Sequence, residues 1–280
     1  MHAKRLFSAA LVAASLGLLT ACGSYVQTTS GSRYLAGYSA SPPAGEIRLP
    51  QAGQAGVVDP EIAEIAAVEP QLRFPTRLGL ARIENGELTP VPPIEAEAWR
   101  GLAQRLGSGY GEFVPVSPLI AALAAPESPT SDSRADPWSG YRKSLAQVVK
   151  AVRYGAARQH LDAVLIYEPF GRSNEEGNIL SVTKIALIGF FLPTEDVKAD
   201  GFAQAVLVDV RNGYTYASAS ATSAEPTRRL STSGNSYKVQ ADARAEAQAQ
   251  AVAALTGEVE TMVRDLRLAL AARRLDLGTQ

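Results

Sequence analysis

Ala163-Val164-Leu165-Ile166-Tyr167 is an apolar run too short for a helix and rich in β-forming side chains, and it predicts a strand buried on both faces. The residues before it read as a long amphipathic helix. Asp136 has the form of a cap and Pro137 that of a first-turn proline. Tyr141, Leu145, Val148, Val149 and Val152 then recur at the spacing of one buried helical face. Three further strand-like runs follow, at residues 180–192, 204–211 and 214–222, the last two joined by Asn212-Gly213. Both residues of that dipeptide tolerate positive φ. It therefore predicts a type I′ hairpin turn with Asn212 and Gly213 both at φ > 0, and with Val206, Val208 and Val210 on one face.

Working outward, residues 76–83 alternate as a strand, with Leu78 and Leu80 on one face and Gly79, Ala81 and Ile83 on the other. Asn85-Gly86 ends it. Residues 94–106 predict a helix whose buried face carries Ile94, Ala98, Trp99, Leu102 and Leu106. A short strand at 113–116 is followed by Ser117-Pro118, the cap and first-turn proline of a helix through Ala124. Residues 126–136 are a polar loop. The C-terminus predicts a helix over residues 237–275, with a stripe of Val252, Leu255, Val259, Met262, Val263, Leu266 and Leu270. Ala241, Ala245 and Ala249 form a small face in its first half, suited to close approach, and Gly257 is a candidate kink. Val259, Val263, Leu266 and Leu270 should be buried, by the sheet or by a neighbouring copy. The fold class expected is α/β (α+β): a mixed β-sheet with an antiparallel meander, covered by helices, and a long C-terminal helix. One domain spans residues 71–275, and 276–280 are a tail.

Composition narrows the function classes. The 280 residues are 46% hydrophobic and 20% charged, ordinary for a globular chain. Formal net charge is −1, and −3 without Lys4 and Arg5, so the electrostatic footprint of a nucleic-acid binder is missing. Cys22 is the one cysteine, and His2 and His160 are the histidines, which removes any internal disulfide and most metal and nucleophile chemistry.

The N-terminus reads as export machinery. Lys4-Arg5 is a positive n-region and residues 6–19 are an apolar h-region, too short to span a bilayer. They end in Leu19-Thr20-Ala21-Cys22, which resembles the bacterial lipobox. The resemblance implies a signal peptide over residues 1–21, cleavage between Ala21 and Cys22, and acylation of the Cys22 thiol. Gly23 rather than an aspartate follows, which implies an outer-membrane lipoprotein facing the periplasm, the inner membrane being the alternative. Residues 22–70 read as a lipidated flexible tether, of which the polar residues from Gly23 to about Val58 give a reach of about 30–35 Å by random-coil scaling. Asp59-Pro60-Glu61 has the form of a cap for a short helix carrying Ile62, Ile65 and Ala66.

The element order also carries a resemblance. The passage from Arg153-Tyr154-Gly155-Ala156-Ala157-Arg158 into residues 160–167, and the run Val206-Leu207-Val208-Asp209-Val210 before Asn212-Gly213-Tyr214, are similar to passages of CsgG/TolB-amino-terminal-like envelope lipoproteins and of rhombotarget-type lipoproteins. The resemblance spans about residues 72–270. It implies an α/β envelope domain and no catalytic residue; the Gly-Gly sorting tail of the rhombotarget type is missing.

Local motifs offer little chemistry. Gly107, Gly109 and Gly111 run from a helix toward a strand, the reverse of a phosphate cradle, and read as a turn. Ser181 and Lys184 match Ser-x-x-Lys but fall in a predicted strand on opposite faces. His160, beside Asp162, reads as a packed or capping residue. Glu195, Asp196 and Asp200 lack an ordered calcium-loop signature, Glu175-Glu176 reads as a solvated hairpin end, and Arg228-Arg229 as solvated surface. No cofactor, metal or catalytic set is expected. The function expected is a non-catalytic binding or assembly module of the bacterial envelope. Its partners would be the membrane through Cys22, and an envelope protein or a second copy through the C-terminal helix. A subunit of a curli-type secretion channel is the first alternative, though it needs membrane hairpins for which no strands are spare. A hydrolase is the second.

Overall fold

The computed structural model describes residues 23–39, 58–124, 137–177, 195–231 and 236–278. Its strands are β1 (Gly23–Val26), β2 (Thr76–Glu84), β3 (Glu87–Thr89), β4 (Gly111–Pro115), β5 (Ala163–Gly177), β6 (Glu195–Asp209), β7 (Thr215–Thr222) and β8 (Thr227–Ser231). Its helices are α1 (Gly31–Ser39), α2 (Pro60–Ala66), α3 (Pro93–Leu106), α4 (Pro118–Ala124), α5 (Pro137–Arg158) and α6 (Ser236–Gly278). The strands form one mixed sheet in the order β1-β7-β6-β5-β2-β3, with β4 also paired to β2 and β8 to β6. This is the α+β architecture that the alternating runs predict. The strand expected at 180–192, the pair Ser181 and Lys184, and residues 1–22 lie outside the described residues.

β2 is the hub of the sheet. It runs parallel to β5 from Leu78↔Ala163 to Arg82↔Tyr167, and parallel to β4 from Thr76↔Gly111 to Leu80↔Pro115. Beyond β4 the same edge turns back on itself and pairs antiparallel with β3. Asn85 (φ 53°) and Gly86 (φ 77°) make that turn, so the type I′ geometry belongs here. Gly111 has φ 105°, and a Cβ on it would stand 1.7 Å from the Thr76 carbonyl oxygen. Only glycine lets β4 approach, and the glycine cluster is the turn that the sequence implies.

The chain divides into two compact units, where the sequence groups residues 71–275 together. The larger comprises residues 25–168, 205–218 and 259–280. One face of its sheet presents Ala81, Ile83, Val164, Ile166, Val208 and Val210 to Val152 and Ala156 of α5, with Leu145, Val148, Val149 and Val206 packed around them. From Leu145 to Val152 the α5 stripe, and the Val206-Val208-Val210 face, are thus as predicted; the Tyr141 side chain lies outside those described. The alternate residues Leu78, Leu80, Ala163, Leu165, Tyr167 and Leu207 are equally buried, so the sheet is covered on both sides. Trp99, Leu102 and Leu106 of α3, and Val259, Val263, Leu266 and Leu270 of α6, are buried within the single chain.

The smaller unit comprises residues 169–204 and 219–258 with the first 24 positions. Here β6 pairs antiparallel with β8 from Glu195↔Ser231 to Ala199↔Thr227. Val197 and Ala199 pack on Ala243 and Ala247 of α6, with Val239 beside them. A Cβ on Gly201 would stand 2.0 Å from the Ala247 carbonyl oxygen, so a helix face of alanines does lie close against a strand.

Several expectations are corrected. The close-packed alanines are Ala243, Ala247 and Ala251, whereas Ala245 is exposed; the face runs back from Leu255 in steps of four, and the predicted set is two residues out of phase. Ile94 is exposed and Glu95 takes its place on the buried face of α3. Of Asn212 and Gly213, only Gly213 (φ 80°) is left-handed. The Asp209 carboxylate accepts the Arg211 amide at 2.9 Å and Asn212 Oδ1 accepts the Tyr214 amide at 3.0 Å. Those bonds fix a four-residue loop closed by Gly213 N to Asp209 O, in place of a two-residue turn. Residues 23–26 and 31–39, read as tether, form β1 and α1. The Gln27 amide bonds the Tyr216 carbonyl at 2.8 Å and its side chain bonds the Thr215 carbonyl at 2.7 Å, so an edge strand of four residues is held by backbone pairing and not by burial.

Candidate functional site

Within the larger unit, residues 70–75 lead into β2 and form one wall of a hollow of about 570 Å³. Arg73, Arg211, Arg273 and Arg274 line it, with Asp162 as the lining acid. The four arginines arrive from three places. Arg73 lies on the proline-bounded segment, which includes a cis Phe74-Pro75 bond. Arg211 projects from the β6–β7 loop. Arg273 and Arg274 ride on α6 one turn after Leu270, whose burial sets that helix face.

A buried hydrogen-bond chain fixes the wall. Tyr216 Oη donates to Asp209 Oδ2 at 2.8 Å and accepts the amides of Gln71 and Leu72 at 2.8 and 2.7 Å. Asp209 is fully buried, and its Oδ1 takes the Arg211 amide and, at 3.3 Å, Arg211 Nε. That ion pair holds the Arg211 guanidinium above its ordinary pKa. Burial, then the hydrogen bond and charge of Asp209, push the Tyr216 phenol well above the usual range. Neighbouring Tyr214 is pushed up to about 12 by burial.

The other charges divide into held and free. Arg273 Nη2 meets Glu69 Oε2 at 2.9 Å. Partial burial works to raise the Glu69 carboxyl, but hydrogen bonds from Ser32, Arg273 and Ser30 outweigh it and lower it. Asp162 Oδ2 is occupied from inside by Thr76 Oγ1 at 3.0 Å and the Arg77 amide at 2.9 Å. Arg274 bonds only the Leu270 carbonyl, at 3.2 Å, and the exposed Arg73 side chain makes no hydrogen bond or ion pair among the described residues. Among the described residues, two guanidinium groups are therefore uncommitted to any carboxylate, in a concave, partly apolar surround. Such a surround suits a carboxylate, phosphate or sulfate group, which guanidinium binds in a bidentate fork.

A second buried centre escapes sequence reasoning. Arg82 on β2 places Nε 3.0 Å from Glu95 Oε2 on α3, and both side chains are almost wholly buried, 5% and 3% exposed. Tyr167 Oη on β5 donates to the same oxygen at 2.7 Å, and its ring lies 5.0 Å from that of Trp99. Arg82 Nη1 also donates to Glu84 and to Thr89 Oγ1, at 2.7 and 3.0 Å. Burial and the Glu95 charge push the Tyr167 phenol far above its ordinary pKa. This centre ties two strands to a helix. The signal that could have found it is the spacing 95, 99, 102, 106, a cleaner helical stripe than one that starts at Ile94.

The residues singled out in sequence are scattered. His160 (φ 56°) is the left-handed cap of α5: its amide bonds the Ala157 carbonyl and the Leu161 amide bonds the Ala156 carbonyl, both at 3.0 Å. Asp162 belongs to the hollow. Asp200 sits on β6 in the smaller unit, and among the described residues no three acids or histidines cluster as a metal site. Ala21 and Cys22 lie outside the described residues. Among the described residues no helix is long and apolar enough to cross a membrane.

Comparison with known proteins adds little. No family model matches the chain. No curated protein matches it either. Among solved structures, a point variant of PelC from Paraburkholderia phytofirmans, a dodecamer, is similar over 69% of this chain and 93% of its own, at 13% identity and a TM-score of 0.29. A likeness that loose leaves the argument with the residues themselves.

Proposed function

We propose that the chain is a lipoprotein of the bacterial envelope, acylated at Cys22, that acts as a non-catalytic binding and assembly module facing the periplasm. The observation that carries the reading is the ordered N-terminal set of Lys4-Arg5, the apolar residues 6–19 and Leu19-Thr20-Ala21-Cys22. The binding role rests on the hollow: Arg73 and Arg274 offer charge that no carboxylate of the described residues neutralises, on a wall pinned by Tyr216. The ligand class is an anionic group presented by an envelope partner. A buried, hydrogen-bonded frame with free cations at its rim favours a fixed docking surface over a reaction centre.

Mass spectrometry of the mature N-terminus tests the anchor. A diacylglyceryl-modified Cys22 is expected, and an unmodified Cys22, or a chain retaining residues 1–21, overturns it. A photo-crosslinking residue at position 73 tests the binding role in the intact envelope. Crosslinked partners should be captured and then lost in a background of Arg274→Glu. Capture that is indifferent to that charge reversal rules the hollow out.

A further inference from the structure

We infer that Tyr25, Tyr34, Tyr38, Ile62 and Ile65 form a face that rests in the headgroup region of the membrane holding the anchor. The inference builds on the lipoprotein reading of Cys22. All five side chains are exposed, Ile65 by 77% and Tyr25 by 63%. They come from β1, α1 and α2, and Tyr25, Tyr34, Ile62 and Ile65 line one shallow hollow of about 600 Å³. Tyr38 extends it: its ring lies 5.2 Å from that of Tyr34, edge to face. Tyrosine with an apolar ring and a wet hydroxyl, beside isoleucine, is the composition that a lipid–water boundary favours.

The patch is built, not loose. A Cβ on Gly31 would stand 2.2 Å from the Ala66 carbonyl oxygen, so α1 begins hard against the end of α2. Glu69 Oε1 then accepts Ser32 N, Ser32 Oγ and Ser30 Oγ, at 3.0, 2.8 and 3.1 Å, while Arg273 holds its other oxygen. The face therefore presents its side chains without further ordering cost.

Chain length says what covers it. β1 begins at Gly23, one residue after Cys22, and Tyr25 is three peptide units from the expected acyl attachment. Three units span at most about 11 Å between Cα atoms. With β1 paired into the sheet, no slack remains between anchor and fold, and acyl chains entering a bilayer at Cys22 hold this face against it. The two helices and the α2 cap carry Arg33, Asp59, Glu61 and Glu64, three acids to one base, and Glu69 and Arg273 beside them offset each other. Attraction to anionic headgroups is therefore not the force; insertion of apolar side chains is, and contact should persist in high salt.

The test uses the full lipidated protein in vesicles of phosphatidylethanolamine and phosphatidylglycerol that carry a photoactivatable group on the acyl chain. Lipid crosslinks should map to residues 23–39 and 58–68 at low and high salt alike. Combined Tyr34→Ser, Ile62→Ser and Ile65→Ser should reduce them about tenfold, with the far-ultraviolet circular dichroism and the Cys22 acyl mass unchanged. Acylated Cys22 with crosslinks elsewhere, loss of crosslinks in salt, or copy-to-copy crosslinks at the patch each overturns the inference and leaves the lipoprotein reading standing. An unacylated Cys22 overturns both.

Discussion

Glu95 and Asp209 are both carboxylates sealed inside the larger unit, each bonded to a tyrosine hydroxyl and an arginine, yet they are built on opposite principles. At Glu95 the arginine is sealed in as well: Arg82 is 5% exposed. At Asp209 the partner Arg211 is 49% exposed and can turn to water. The first pair is locked, since either charge alone would be stranded in a low-dielectric interior. The second is a bridge from core to rim, with its buried end fixed and its outer end available. A closed pair holds elements together, whereas a half-open one can hold a loop and still present a cation to a ligand.

The largest effect that separates them is expected from Glu95→Ala. It strands Arg82 and should cost about 3–5 kcal/mol in chemical denaturation. A combined Arg82→Met and Glu95→Leu should be markedly more stable than that single variant, because no charge is then left behind. Asp209→Asn should cost less, about 1.5–3 kcal/mol, because Arg211 regains water. Equal losses for the two would break the contrast.

Alkaline pH sharpens it. Burial and a carboxylate partner hold the Tyr167 and Tyr216 phenols above their ordinary pKa in the folded chain. For a raised folded pKa, the stabilisation is complete below the unfolded value and is lost as pH rises through the folded one. Stability should therefore start to fall near pH 10, by about 1.4 kcal/mol per buried tyrosine by about pH 11. Tyrosinate absorbance should show both phenols silent until unfolding, and Tyr167→Phe should blunt the slope. Tyr216→Phe leaves a buried Asp209 oxygen and the Leu72 amide without this partner and should cost about 1–3 kcal/mol at neutral pH. It should speed amide hydrogen exchange at Gln71 and Leu72 and spare the Glu95 centre.

Legibility in the sequence followed burial. Residues 163–167 are a short unbroken apolar run, and the α5 and α6 stripes each recur at one helical period, so run length and period reveal them. Glu95 was missed because an acid on a buried face breaks that rule, and only Arg82 and Tyr167, 13 and 72 positions away, make its burial tolerable. The two Asn-Gly pairs show the limit of a local signal. Asn85-Gly86 has little but backbone to satisfy and takes the type I′ turn. At Asn212-Gly213 the side chains of Asp209 and Asn212 compete for the same amides and win a longer loop. The arginine hollow was illegible because residues 73, 162, 211 and 273–274 meet only through the fold. β1 and α1 carry too few apolar residues to show a period.

The pairing of β1 also fixes an order of events. Its partner strand lies far downstream: the Gln27 side chain reaches the Thr215 carbonyl across 188 positions. A chain that crosses a membrane from its N-terminus delivers β1 first and must carry it unpaired until β7 has followed. The first strand to emerge then waits for one of the last to pair with it. If the chain is exported as proposed, chains halted before position 215 should remain open to proteolysis at residues 23–26, and protection there should mark the arrival of β7.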